Sequence, residues 1–170
     1  MKKKLNQLAF RFILVGLYCF SFLPLVFAGD AVVLDGFKSF HPLGEQAEIL
    51  SDPSGELTFD QVQNQTSFMP SPGAAPNMGI TQDVHWIKFK IKNSSLRQDW
   101  LFVVHSAAID QVQVWWRQGS GEFNHANLDE NSILERKNPL RLPVVLLKLP
   151  LQSETEFWVR LWDEGTFPTP

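Results

Sequence analysis

Three stretches of the chain alternate apolar and polar residues with a period of two, the spacing of a strand that buries one face. From His85 to Lys92, His85, Ile87, Phe89 and Ile91 fall on one side and Trp86, Lys88, Lys90 and Lys92 on the other. From Asp110 to Arg117, Val112, Val114 and Trp116 oppose Gln111, Gln113, Trp115 and Arg117. From Glu156 to Trp162, Phe157, Val159 and Leu161 oppose Glu156, Trp158, Arg160 and Trp162. Trp100 to His105 and Val144 to Leu149 are almost continuously apolar and are expected to be strands, the first of them covered on both faces. Asp52-Pro53-Ser54-Gly55, Asn93-Ser94-Ser95 and Gly119-Ser120-Gly121 read as turns, and the Pro- and Gly-rich stretch from Pro70 to Gly79 excludes a helix or a central strand. Apart from a single turn near Phe59 to Asn64, no window beyond residue 28 carries a helical period. Short strands punctuated in this way predict an all-β domain, a β-sandwich of jelly-roll type, over residues 48–170, with residues 29–47 as a loosely attached leader.

The first 28 residues follow a different plan. Lys2, Lys3 and Lys4 precede an uncharged apolar run from Phe12 to Leu23, Pro24 breaks it, and Val26-Phe27-Ala28 places small residues before Gly29. This is the layout of a cleaved secretory signal. A spanning helix needs roughly 20 apolar residues, more than this run supplies. Gly16-Leu17-Tyr18 is the wrong lead-in for a lipidated Cys19. Export also changes the charge: it leaves 11 basic residues against 18 acidic ones, a net charge of −7. Nucleic acid is a poor partner for such a surface. The only cysteine leaves with the signal, so the exported domain has neither disulfide nor thiol, as suits a bacterial periplasm.

Enzyme chemistry finds little support. His85, His105 and His125 are spaced by 20 residues and His41 stands apart, whereas metal sites use short local spacings. Asp52, Asp60, Asp83 and Asp110 are scattered over turns, and no nucleophile lies in a recognisable motif. The expectation is therefore no catalytic residue, no metal and no cofactor. The tryptophans say more. Trp116 sorts with Val112 and Val114 into the core, while Trp86, Trp115, Trp158 and Trp162 sort with Lys88, Lys90, Gln113, Arg117 and Arg160 onto the opposite faces. Flat rings beside hydrogen-bonding and cationic groups suit a sugar, which offers C–H groups to stack and hydroxyls to bind. Trp86, Lys88, Trp115, Arg117, Trp158 and Arg160 are the candidate ligand-binding residues. The same tryptophans could instead pack under a loop.

The run Glu48 to Val62, then Phe68, Gly79-Ile80-Thr81, His85 to Asn93, Trp100-Leu101, Asp110 to Val114 and Phe157-Trp158-Val159-Arg160 resembles one known family. It is the extracellular type 2 domain of bacterial seven-transmembrane receptors with diverse intracellular signalling modules. The most specific piece is a Trp-x-x-Phe-x-x-x-Asn strand at Trp86, Phe89 and Asn93, supported by Trp158 and Arg160. The resemblance implies a carbohydrate-binding-module-like sandwich in the periplasm, followed by seven membrane helices and an output module. It also implies a last strand beyond the closing Phe167-Pro168-Thr169-Pro170, so the chain is expected to be a receptor's sensory domain without that strand. The implied partner is a carbohydrate or other small extracellular ligand, with a second receptor domain or a second copy as further partners. The alternative is a free-standing periplasmic carbohydrate-binding or adhesion module.

Overall fold

The computed structural model describes residues 29–75, 78, 81–105, 109–129 and 142–163. The signal expected over residues 1–28 and the chain end at Phe167–Pro170 lie outside the described residues. The elements in chain order are β1 (Val32–Leu34), β2 (Glu48–Asp52), α1 (Phe59–Val62), β3 (Met69–Pro70), β4 (Val84–Asn93), β5 (Asp99–Val103), β6 (Gln111–Gln118), β7 (Asn124–Asp129), β8 (Val144–Lys148) and β9 (Ser153–Trp162). A seven-stranded sheet runs β3-β2-β4-β9-β6-β7, with β1 added in parallel along β4. The second sheet pairs β5 with β8, antiparallel. The domain is a sandwich of antiparallel sheets, as the alternation predicts.

The core lies between the two sheets. Phe89 and Ile91 of β4, Val112 and Val114 of β6, and Phe157, Val159 and Leu161 of β9 meet Phe102 of β5 and Val145 and Leu147 of β8. Phe89 stacks on Phe157 at 5.1 Å and on Phe102 at 5.9 Å, so ring contacts tie the layers together. The residues from β4, β6 and β9 fall on the inward side that their period assigns, whereas those of β5 and β8 lie in apolar runs that assign no side.

Two expectations need correction. The leader is not loose: Val32 pairs with Ile91 and Leu34 with Asn93, and both side chains are buried in the core. A three-residue strand is too short for its alternation to be read from sequence. Likewise β5 is not covered on both faces, because Leu101 is 66% exposed opposite Leu146, which is 60% exposed. An apolar run indicates a strand but does not say what covers its second side. One strand was not anticipated: β7, with the sequence Asn-His-Ala-Asn-Leu-Asp, carries no β-branched residue and is held by its ladder to β6.

His85 sits buried near the start of β4, where burial pulls its imidazole below the ordinary value of 6.5 and the nearby Asp83 partly offsets this. The folded state therefore takes up this proton less readily than the unfolded chain. Stability is full above about pH 6.5 and falls as the pH drops below it. Thermal melts between about pH 7.5 and 5 should show a falling Tm, and His85→Gln should flatten that slope. An unchanged slope in the variant would assign the acid sensitivity to other groups.

Candidate functional site

The side of the large sheet facing away from β5 and β8 carries the indoles, and local chemistry places a lid over them. The buried Asp52 side chain accepts hydrogen bonds from the Ser54 and Gly55 N–H groups, the Ser54 hydroxyl and the Leu57 N–H, at 2.6–3.2 Å. Gly55, at φ 67°, supplies the left-handed residue this turn requires. Thr58 then starts α1 with a capping box: its side chain accepts from the Gln61 N–H, while the Gln61 side chain accepts from the Thr58 N–H. The result lays Leu57, Phe59 and the fully buried Val62 over the sheet.

Beneath this lid the predicted site residues do come together. Glu48, Lys88, Trp158, Trp115 and His125 stand in one line across five strands, with Leu50, Trp86 and Arg160 two residues along. What differs is their exposure. Trp86 is 0% exposed and Trp158 is 9% exposed. Trp115 is half-buried and stacks with Phe59 at 4.8 Å, His125 at 4.6 Å and Trp86 at 5.4 Å. Phe123 and Phe59 meet Trp158 edge-on.

The polar groups are engaged as well. Lys88 pairs with Glu48 at 2.8 Å and lies over the Phe68 ring. Arg117 pairs with Glu156 at 3.0 Å over Phe123. Arg160 donates to Gln111 Oε1 and to the Gly55 carbonyl, fastening the turn to the sheet. The sequence sorted the faces correctly, but this indole face is a second core roofed by α1 and not an open surface. Period two tells sides apart and cannot report that a four-residue helix covers one of them.

The open volume lies on the other side, between the sheets. A cavity of about 710 Å³ has Ile87, Phe89, Val159 and Leu161 as its floor and Trp100, Phe102, Leu147 and Leu149 opposite. The N-terminal segment walls it: Gly44 sits so close to the 73–74 backbone that a Cβ there would collide with the Ala74 carbonyl oxygen. Polar groups are confined to a few lining residues, among them Ser39, His41, Arg97, Asp99 and His105. His41 meets Trp100 edge-on, and His105 meets Phe40 in the same way. The His41 Nε2 atom is shielded from solvent and has no hydrogen-bond partner among the described residues. A half-open apolar cavity of this size with a few convergent polar groups is the ordinary form of a small-molecule site. Its residues come from distant parts of the chain, so no local sequence signal marks it.

A family model described as 7TMR-DISM extracellular 2 matches residues 44–170, which is 127 of the 170 residues. The chain belongs to this family. No curated protein matches it. A 7TMR-DISM extracellular 2 domain is a sensory module of a membrane receptor outside the cytoplasm, and the family is not one of known enzymes. The match begins at residue 44, inside the expected leader. Among the described residues no helix is long and apolar enough to cross a membrane, and no group of three His, Cys, Asp or Glu side chains could hold a metal ion. The motif that carries the resemblance is structural in this chain: Trp86 anchors the roofed layer, Phe89 the intersheet core and Asn93 one end of the sandwich.

Proposed function

We propose that this domain is the periplasmic ligand-sensing part of a bacterial signalling receptor and that its ligand, a small molecule with an apolar body and a polar end, enters the cavity between the sheets. The observation that carries this reading is the cavity itself, about 710 Å³ of half-open, mainly apolar volume in a sensory-domain family. Its walls favour C–H surface over hydroxyls, while His41, Arg97 and His105 give one polar end a place to bind. A bound molecule would touch β4 and β9 on one side and β5 and β8 on the other, so a ligand preferring one spacing of the layers would shift their equilibrium. That is a route from binding to signal which a solvent-facing sugar site would lack.

The test uses the apolar fluorophore 1-N-phenylnaphthylamine with Trp100 as energy donor. Saturable binding at one site is expected, reversed by Leu43→Arg, which brings a charge into the wall while leaving the far-UV spectrum unchanged. Equal binding by that variant would reject the cavity. Saccharide binding lost in Trp115→Ala and kept in Leu43→Arg would return the ligand to the indole layer.

A further inference from the structure

At one end of the sandwich the 34–40 and 94–97 segments pack together. The Ser94 N–H donates to the Leu34 carbonyl at 3.0 Å, and a Cβ on Gly36 would fall 3.0 Å from the Ser95 Cβ. From these two segments Leu34, Ser39, Phe40 and Arg97 line the cavity between the sheets. Phe40 lines it and is also 63% exposed, so the cavity reaches solvent here. The same segments hold Phe37 at 95% and Leu96 at 92% exposure, which gives this end an apolar rim. Exposed apolar groups gathered in this way mark a place where something apolar is met.

Among the described lining residues, Arg97 and Asp99 are the ones that carry a full charge. Asp99 stands directly across the β5–β8 ladder from Lys148, which balances it. It also shares its phase with the exposed Leu101, on the side of β5 opposite the buried Phe102. Arg97 is different. Its side chain makes no ion pair, hydrogen bond or ring contact among the described residues. Its main chain, by contrast, is fixed. The Arg97 N–H donates to the Ser95 hydroxyl at 3.1 Å, and its carbonyl accepts from Asn93 Nδ2 at 2.7 Å and Trp100 Nε1 at 3.2 Å. The fold therefore anchors this residue at the cavity mouth and leaves its guanidinium unengaged.

We infer that the ligand of this cavity is a carboxylate amphiphile, with its alkyl or aryl body between the sheets and its carboxylate on the Arg97 guanidinium at the mouth. This rests on the cavity reading and adds to it the charge of the polar end. A guanidinium is permanently charged, and its planar fork matches a carboxylate through two parallel hydrogen bonds. Such charge-assisted bonds are roughly twice as strong as those a neutral hydroxyl would make. A single cation suits a monoanion, whereas a dianionic phosphate head would keep one charge uncompensated. A cationic head would be repelled by Arg97. The rim formed by Phe37, Phe40 and Leu96 offers apolar contact to the body of such a molecule as it enters.

The experiment is competition against bound 1-N-phenylnaphthylamine on the full chain. The competitors are decanoate, decanol, decyltrimethylammonium and decyl phosphate, each below its micelle-forming concentration, at a pH where the carboxylate is ionised. Decanoate should displace the fluorophore at about tenfold lower concentration than decanol, the effect of a charge-assisted pair. Arg97→Gln should abolish that difference while leaving the Kd of the fluorophore and of decanol as in the parent. The variant keeps every main-chain bond at position 97 and changes an exposed side chain, so the fold is retained. Asp99→Asn should leave the decanoate advantage in place. The inference is overturned if decanoate and decanol compete alike in the parent, or if the ammonium or the phosphate competes best. It is also overturned if Arg97→Gln keeps the decanoate advantage or weakens decanol equally. A fluorophore that binds with no such preference among competitors leaves the cavity reading standing and removes this one. A fluorophore that does not bind, or binds Leu43→Arg equally, removes both.

Discussion

Asn93→Ala is expected to lower the unfolding free energy by about 3–4 kcal/mol, with a fall in Tm on the order of 10–20 °C. Asn93 is 0% exposed and its side chain makes five hydrogen bonds. Nδ2 donates to the carbonyls of Arg97, Leu149 and Pro150, and Oδ1 accepts from the Ser95 N–H and hydroxyl. The bonds join the β4–β5 connection to the β8–β9 connection, and the Ser94 N–H ties β1 to the same knot through the Leu34 carbonyl. Alanine removes the partner while leaving buried carbonyls and an N–H without water, and that unpaid desolvation dominates the loss. Asn93→Asp should be no better, because it turns a carboxylate oxygen toward the carbonyls that Nδ2 now serves. Ser94→Ala, one residue along, should stay within about 0.5 kcal/mol. Urea unfolding with an unchanged m-value is the measurement, and a loss below about 1 kcal/mol for Asn93→Ala would show that the knot is dispensable.

The same residue marks how far the sequence could be read. Asn93 was legible as a strand end and as part of a family motif, but its five partners come from residues 95, 97, 149 and 150, which no pattern joins. The strands β4, β6 and β9 were legible because seven or eight residues of strict alternation leave a single assignment of sides. The sides held, and Phe89, Val114 and Val159 face the intersheet core as their spacing requires. Exposure did not follow from side. Trp86 lies opposite Phe89 in phase, which predicts only that it faces away from the intersheet core. The turn built on Asp52 and the cap at Thr58 decide that α1 covers it. Both were visible only as a turn and a single helical turn. The strand β1 was missed because three residues contain one alternation, and the cavity because its walls are set by the distance between layers.

Trp86 gives the second large effect and decides what that indole layer is for. Trp86→Ala should cost about 3–5 kcal/mol, the range for removing a large buried aromatic side chain. Leu50, Val62, Phe68, Val84 and Trp158 form the cluster around it, and Trp115 stacks on one of its faces. Trp86→Phe should cost far less, below about 1.5 kcal/mol. The ring face is kept, and the Trp86 Nε1–H, which is buried with no hydrogen-bond partner among the described residues, is removed along with its desolvation penalty. The half-buried Trp115 should fall between the two when changed to alanine. If the layer were an exposed recognition surface, the order would differ: Trp86→Ala would leave stability within about 0.5 kcal/mol and lower affinity alone. Chemical unfolding of the three variants separates the cases, and a thermodynamically silent Trp86→Ala would mean that α1 does not roof the sheet in solution.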